Sequence, residues 1–234
     1  MKYNLSIVVP CYNEGKNLPI LIENFSNAIK TKGIELLIVN NGSTDKSSII
    51  LNQLAKKYAF VRIITIKKNV GYGHGIVTGL KKAKGDYLAW THADLQTNPS
   101  DVIKAFDIIK KQGNPQICYI KGSRKNRHFV EKFFSIGMAG AAALILAKPM
   151  YDINAQPNLF HKSFLGLMRN PPTNFFLDLY AYYSAKKSNI KIIKFPVYFG
   201  KRAHGISHWD INFSSKLKLI KDMIKYMIIL RKQG

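Results

Sequence analysis

The chain has 234 residues, 47% of them hydrophobic and 12% aromatic, and 36 Lys and Arg against 13 Asp and Glu leave a net charge of +23. This composition excludes a disordered basic tail, which could not bury so much apolar surface, and with two cysteines it excludes a disulfide scaffold. Cys11 and Cys118 read as reduced cytosolic thiols, and the opening run MKYNLSIVVP does not resemble a secretion signal.

Leu5–Val9 (LSIVV) is a continuous apolar run ended by Pro10, the pattern of a strand buried on both faces. Asn17–Lys30 follows with Leu18, Leu21, Ile22, Phe25 and Ile29 at helical spacing. Glu35–Val39 predicts a second strand, Thr44–Tyr58 a second helix and Val61–Ile66 a third strand. Gly73–Lys84 reads as a helix opened by a Gly-rich turn and Tyr87–Thr91 as a fourth strand. Pro99–Lys111 reads as a helix with proline in its first turn, and Ile117–Gly122 as a further strand. Repeated β–α units imply an α/β fold, a Rossmann-like, mainly parallel sheet with helices on both faces.

Beyond Gly122 a basic patch (Arg124, Lys125, Arg127) leads into the small-residue segment SIGMAGAAALILA. The uncharged stretch from Phe133 to Ala147 falls short of the roughly 20 residues that cross a bilayer, so no membrane span is expected. Asp152–Phe160 is polar and turn-prone, Phe175–Lys187 is helix-like, and Lys191–Phe199 is a strand whose Pro196 suits a sheet edge. Lys216–Lys232 predicts a closing helix with Leu217, Ile220, Met223, Ile224, Met227 and Ile228 on one side and lysines around the rest. The expected organisation is one domain over residues 1–210, followed by a basic amphipathic helix over 211–234. The positive excess has to face nucleic acid, an anionic membrane surface or phosphorylated substrates.

In a doubly wound sheet, ligands bind outside the carboxyl ends of the strands. Four predicted strands end there in polar clusters: Pro10-Cys11-Tyr12-Asn13-Glu14, Asn40-Asn41-Gly42-Ser43-Thr44-Asp45, Thr91-His92-Ala93-Asp94-Leu95-Gln96 and Gly122-Ser123-Arg124. The stretches IVVPCYNEGKNL, IVNNGSTDKS, NVGYGHGIVTGLKKAKGDYLAWTHADLQTNP and FPVYFGKRAHGISHW stand in the order and spacing of the family-2 glycosyltransferase motifs. The sequence resembles that family, and within it the dolichyl- and polyprenyl-phosphate sugar transferases. The resemblance implies the GT-A fold, a nucleotide-sugar donor and inverting transfer to a polyprenyl phosphate or a glycan- or lipid-linked acceptor in cell-envelope synthesis. It also implies a nucleotide-sugar-binding half over 1–122 and an acceptor-binding half over 123–210.

A nucleotide diphosphate gains negative charge as its bond to the sugar breaks, and a divalent metal or fixed cations must neutralise it. By the resemblance, Asp94 and Gln96 take metal-contacting positions, on the same side of the chain if the segment is extended. Arg202 is the arginine expected to close over the diphosphate, with Gly205 and Ser207 in its loop. Pro10, Tyr12, Asn13, Glu14, Asn40, Asn41, Gly71, His92 and Ala93 complete the expected donor site. Arg124, Arg127 and Lys132 stand where an acceptor phosphate would be held. A hydroxyl acceptor would need a base, for which Asp178 and Asp152 are the candidates, with His161 or Gln156 as further acceptor contacts.

Two departures from the family pattern bear on the metal. Asn40-Asn41 replaces a pair of aspartates, and His92 replaces the first carboxylate of the D-A-D-L-Q element. Imidazole suits transition metals better than Mg²⁺, which leaves open weaker metal binding, a preference for Mn²⁺, or neutralisation by Arg and Lys instead. Peripheral attachment to the inner face of the membrane follows from the basic closing helix. The competing classes are a nucleic-acid-binding protein, a nucleotidyltransferase and an inactive glycosyltransferase-like protein. The first lacks a recognisable nucleic-acid motif and a confined basic stripe, so no nucleic-acid partner is expected. The second lacks a Gly-rich signature with Arg and Lys after the first strand.

Overall fold

In the computed structural model, residues 3–126, 129–200, 202 and 213–233 are described. The strands are β1 (Leu5–Cys11), β2 (Ile34–Asn41), β3 (Val61–Ile66), β4 (Tyr87–Trp90), β5 (Cys118–Arg124), β6 (Asn158–His161) and β7 (Lys191–Val197). They form one sheet in the order β3-β2-β1-β4-β6-β5-β7. The apolar runs of β1 and β2 have no face to give to water, and the sheet takes them into its interior, where their side chains alternate between two cores. Leu36 and Ile38 enter one, Leu37 and Val39 the other. Helices α1 (Leu18–Ala28), α2 (Ser47–Lys57) and α4 (Pro99–Lys110) cover the first face. Helices α3 (Tyr72–Lys82), α5 (Phe129–Leu146), α6 (Leu177–Lys187) and α7 (Phe213–Lys232) cover the second.

Strand pairing is parallel except around β6, which runs antiparallel to both β4 and β5. The sequence predicts no strand there, because Asn158 opens a four-residue segment inside a polar, proline-containing stretch. Tertiary placement makes it a strand: Leu159 fills one core, Phe160 the other, and the Asn158 amide enters a buried polar cluster. Because β6 lies between β4 and β5, the segments before and after residue 122 share one sheet. Pro196 lies in β7 at the sheet edge, as expected, where a missing N–H breaks no ladder on the open side.

Helix α3 approaches the sheet closely because Gly79 faces it. A Cβ there would lie 2.4 Å from a Val8 methyl and 2.9 Å from one of Val39. Among the described residues, no helix is long and apolar enough to cross a membrane. The apolar side of α7 is divided: Met223, Met227 and Leu230 pack into the second core, whereas Leu217, Ile228 and Ile229 stay exposed beside Lys218, Lys221 and Lys225.

Candidate active site at the carboxyl rim

Because β1, β2 and β4 are parallel, the segments that follow them open on the same rim. There they line a cleft of about 900 Å³ together with Arg202. Of the residues expected from sequence, Pro10, Tyr12, Asn13, Glu14, Asn41, Gly71, His92, Ala93, Asp94 and Arg202 lie in its wall. The first two loops hold each other. Asn13 N–H donates to Ser43 Oγ (3.0 Å), Asn13 Oδ1 accepts from Thr44 N–H (2.8 Å), and Gly15 N–H donates to Asp45 Oδ2 (3.1 Å). Asn41 is fixed through its amide nitrogen, which donates to the Gly71 carbonyl (2.9 Å) and to Asn69 Oδ1 (3.2 Å). Its Oδ1 is buried and has no hydrogen-bond partner among the described residues.

At the N-terminus of α3 the segment 172–174 crosses over the backbone, and His74 N–H donates to the Thr173 carbonyl (2.8 Å). Gly71 is required here on two counts. Its φ is +133°, and a Cβ would lie 2.4 Å from the Thr173 oxygen. That close cover gives part of this helix end to protein rather than to a ligand.

The charges in the cleft are balanced locally. Arg202 Nη2 pairs with Asp94 Oδ2 at 2.8 Å, with the aspartate side chain 8% and the arginine 27% exposed. Asp94 Oδ1 accepts from Gln96 N–H (3.1 Å). Burial raises the Glu14 carboxyl above its ordinary pKa, and the nearby Asp94 charge adds to the rise, against the Asn17 amide and Arg202, which lower it. For Asp45, burial pulls upward but is outweighed by the Ser47 hydroxyl and the N–H groups of Ser47 and Gly15, so its pKa falls. Cys11 is pushed up to about 12, chiefly by burial, and is an inert thiol in the wall.

Several expected residues stand elsewhere. Leu95 has φ +61°, so the segment is not extended and side chains do not alternate. Gln96 therefore turns from Asp94 and donates its amide to the Gly200 carbonyl (3.3 Å). Asn40 is buried behind the second loop, donating to Ser48 Oγ (2.7 Å) and accepting from Ser43 N–H. Asp178 has no accessible surface and cannot reach an acceptor as a base. Its Oδ1 accepts from Trp90 Nε1 (3.1 Å), Gln156 Nε2 (2.8 Å) and Asn158 Nδ2 (2.9 Å). Gln156 is equally enclosed.

Asp152 accepts from Ser123 Oγ (2.8 Å). His161 closes β6, its Nδ1 2.9 Å from Ser163 Oγ, away from the cleft wall. The Arg124 guanidinium lies 4.4 Å from the centre of the Phe199 ring. Arg127, Lys132, Gly205 and Ser207 lie outside the residues whose side chains are described.

The cleft also contains residues that sequence reasoning did not single out as ligand contacts: Cys11, Lys16, Asn17, Asp45, Asn69 and Tyr72. All but Tyr72 and Asn69 belong to the first two rim loops or their margins. An aromatic within the run GYGHG was the available signal for Tyr72.

For a divalent cation the donor set is thin. Among the described residues, no three His, Cys, Asp or Glu side chains gather to hold a metal. Asp94 supplies a carboxylate, His92 in the same wall supplies a ring nitrogen, and Gln96 is directed elsewhere. Both Asp94 oxygens are engaged, by Arg202 and by Gln96 N–H, so two side chains of this wall would leave most of a cation's shell to other ligands.

The family model described as Glycosyl transferase family 2 matches residues 6–165. A dolichol-phosphate mannosyltransferase of Pyrococcus furiosus is 29% identical over 87% of this chain and 58% of its own length. A dolichyl-phosphate beta-glucosyltransferase of Trichomonas vaginalis is 28% identical over 97% of this chain and 74% of its own length. This chain thus spans little more than half of the archaeal relative. Among solved structures, glucosyl-3-phosphoglycerate synthase of Mycobacterium tuberculosis, in complex with Mn²⁺, UDP and its product, superposes with a TM-score of 0.71 at 15% identity. That match covers 98% of this chain and 80% of the other. The fold expected from the sequence, GT-A, is the one found.

Proposed function

The chain belongs to glycosyl transferase family 2, and from that premise we propose that the rim cleft binds a nucleoside diphosphate sugar. The sugar passes, with inversion at its anomeric carbon, to a polyprenyl phosphate or a glycan- or lipid-linked acceptor of the cell envelope. The observation that carries this reading is the Arg202–Asp94 pair in the wall of a cleft built from the first, second and fourth strand ends. An arginine placed there can exchange its carboxylate partner for the diphosphate and hold charge that grows as the sugar leaves.

Each wall residue has a task in that step. Asn41 stands in the wall where the base or ribose would lie, and being neutral it does not demand a particular base as a carboxylate would. Tyr12, exposed at the rim, offers a face to the base or ribose. Asn13 holds the first and second loops together beneath the nucleoside. Asp94 and His92 would hold a divalent cation, which when bound supplies further neutralisation of the diphosphate. With imidazole in place of a carboxylate, Mn²⁺ is favoured over Mg²⁺ and the affinity is reduced.

The burial of Asp178 removes one of the two candidate bases and leaves Asp152, which is engaged by Ser123 Oγ, so we favour an acceptor that is already anionic, a lipid phosphate. Arg124, with Arg127 and Lys132, would seat it, so that residues 1–122 serve the donor and 123–210 the acceptor. Exposed lysines and apolar residues on α7 support peripheral contact with anionic lipid on the inner membrane face.

A thermal-shift screen of UDP-, GDP- and CMP-sugars with and without Mn²⁺ tests the donor half. It is followed by an assay for sugar-lipid formation from polyprenyl phosphate. A stabilising sugar nucleotide that is then consumed with formation of glycosylated lipid is the expected result. No shift with any donor overturns the proposal.

A further inference from the structure

Tyr72 opens α3, and its side chain spans the rim. Its backbone neighbour Gly71 is tied to Asn41 at the end of β2, while its hydroxyl accepts a hydrogen bond from Gln156 Nε2 (3.3 Å) just before β6. Between these points its ring lies 5.8 Å, centre to centre, from His92 on the segment after β4, and 6.1 Å from Phe175. The sheet order β2-β1-β4-β6 turns this into a direction. A donor whose nucleoside lies on the first and second loops and whose diphosphate meets Arg202 beside Asp94 carries its sugar toward the β6 side. That is where the Tyr72 hydroxyl is anchored.

We propose that Tyr72 is the wall against which the transferred sugar packs, and that Gln156 and Asp178 are positioning residues that hold it there. The inference rests on the donor reading above and adds the residue that distinguishes a sugar nucleotide from a bare nucleoside diphosphate.

The anchoring is unusually complete for a side chain in a cleft wall. Gln156 donates to both Tyr72 and Asp178 Oδ1, and its own Oε1 accepts from Asn158 Nδ2 (2.8 Å). Asn158 Oδ1 in turn accepts from Tyr119 Oη and Lys121 Nζ, both at 3.0 Å. Gln156, Asn158, Lys121 and Asp178 have no accessible surface, so the ring is held by a buried lattice rather than by solvent-exposed bonds. Burial first, and the Asp178 carboxylate second, raise the phenol well above its ordinary pKa. The hydroxyl is thus committed to the buried lattice, between the Gln156 amide and the Asp178 carboxylate, and it is the ring that lines the cleft. A ring held rigidly in the wall offers an apolar face to the C–H face of a pyranose.

The test compares dissociation constants for UDP and GDP with those for UDP-glucose and GDP-mannose, by calorimetry on the whole chain. Wild type, Tyr72→Phe, Tyr72→Ala and Asp178→Asn are measured side by side. Tyr72→Ala is expected to weaken the preferred sugar nucleotide by about tenfold or more, and Tyr72→Phe by roughly three- to tenfold, through loss of packing and of the hydrogen bonding that anchors the ring respectively. Asp178→Asn should reproduce the Tyr72→Phe effect, while the bare nucleoside diphosphate stays within about twofold throughout. This selective ratio is a readout that a merely structural role would not move.

Equal weakening of bare and sugar-bearing ligands in the variants overturns the assignment of Tyr72. So does a wild-type chain that binds both equally. Failure of wild type to bind any of the four ligands defeats the donor reading itself.

Discussion

Lys121 and Asp178 sit at opposite ends of the Asn158 amide, a buried cation and a buried carboxylate beneath the candidate site. Lys121 Nζ donates to the Ala155 carbonyl (2.8 Å) and to Asn158 Oδ1 (3.0 Å), and it lies 5.5 Å from the centre of the Tyr182 ring. Lys121→Met keeps the stem volume but deletes the charge and both hydrogen bonds. The Ala155 carbonyl then loses this donor, and the Asn158 amide, which donates to Asp178, loses the cation at its other end. Losing hydrogen bonds from a charged donor to buried acceptors costs about 1.5–3 kcal/mol each, a large share of the roughly 5–15 kcal/mol that stabilises a domain.

Asp178→Asn is destabilising because it removes the charged acceptor of the Trp90, Gln156 and Asn158 donors. In the double variant neither charge remains, so the combined loss should fall short of the sum by about 1–3 kcal/mol. Urea unfolding followed by tryptophan fluorescence measures this cycle, with Trp90 as an internal reporter because its Nε1 donates to Asp178. Losses that add to within about 0.5 kcal/mol would refute the coupling through Asn158.

Asp94→Asn and Arg202→Ala should each lower sugar transfer by about a hundredfold or more. Their melting temperatures should change far less, since Arg202 is 27% exposed and water entering from the cleft can take its place at Asp94; a thermal shift as severe as the kinetic loss would make the pair structural. Glu14 has a raised pKa in the folded chain, so folding favours its protonated form. Its contribution to stability is present below the unfolded value near 4.5 and is lost as pH rises through the higher folded value. Glu14→Gln should therefore stabilise the protein at pH 7 and lose that advantage in acid, as read from melting curves across pH; a gain independent of pH would contradict the assignment. Replacing Lys218, Lys221 and Lys225 by Glu should weaken sedimentation with anionic vesicles by about a hundredfold or more, at about 1 kcal/mol per lysine lost, and unchanged sedimentation would remove α7 from membrane contact.

Much of the frame was legible because local pattern and final environment agree. LSIVV and ELLIV are apolar on both faces, which only the interior of a covered parallel sheet satisfies, and Val61–Ile66 is a strand over the bounds its sequence predicts. The clusters after the first, second and fourth strands converge because parallel strands end on the same side, so Asp94, Asn41 and Tyr12 were readable as neighbours. What stayed hidden depends on contacts between distant segments. Strand β6 is four residues long and exists as a strand because β4 and β5 flank it. Gln96 parts from Asp94 because one left-handed residue, Leu95, reverses the alternation that an extended segment would keep.

Asp178 is similar in sequence terms to any carboxylate at the start of a helix. Three buried donors from Trp90, Gln156 and Asn158 make it an interior anchor, and those donors lie 88, 22 and 20 positions away. Periodicity and motif spacing thus determined the layers, the rim and the charge-bearing residues, since each is a property of a short stretch of chain. Which way the side chains point, and that Tyr72 is braced from beneath by a lattice spanning β4, β5, β6 and α6, was decided by tertiary packing. Hydrogen-bond partners far apart in the chain meet only when the sheet closes.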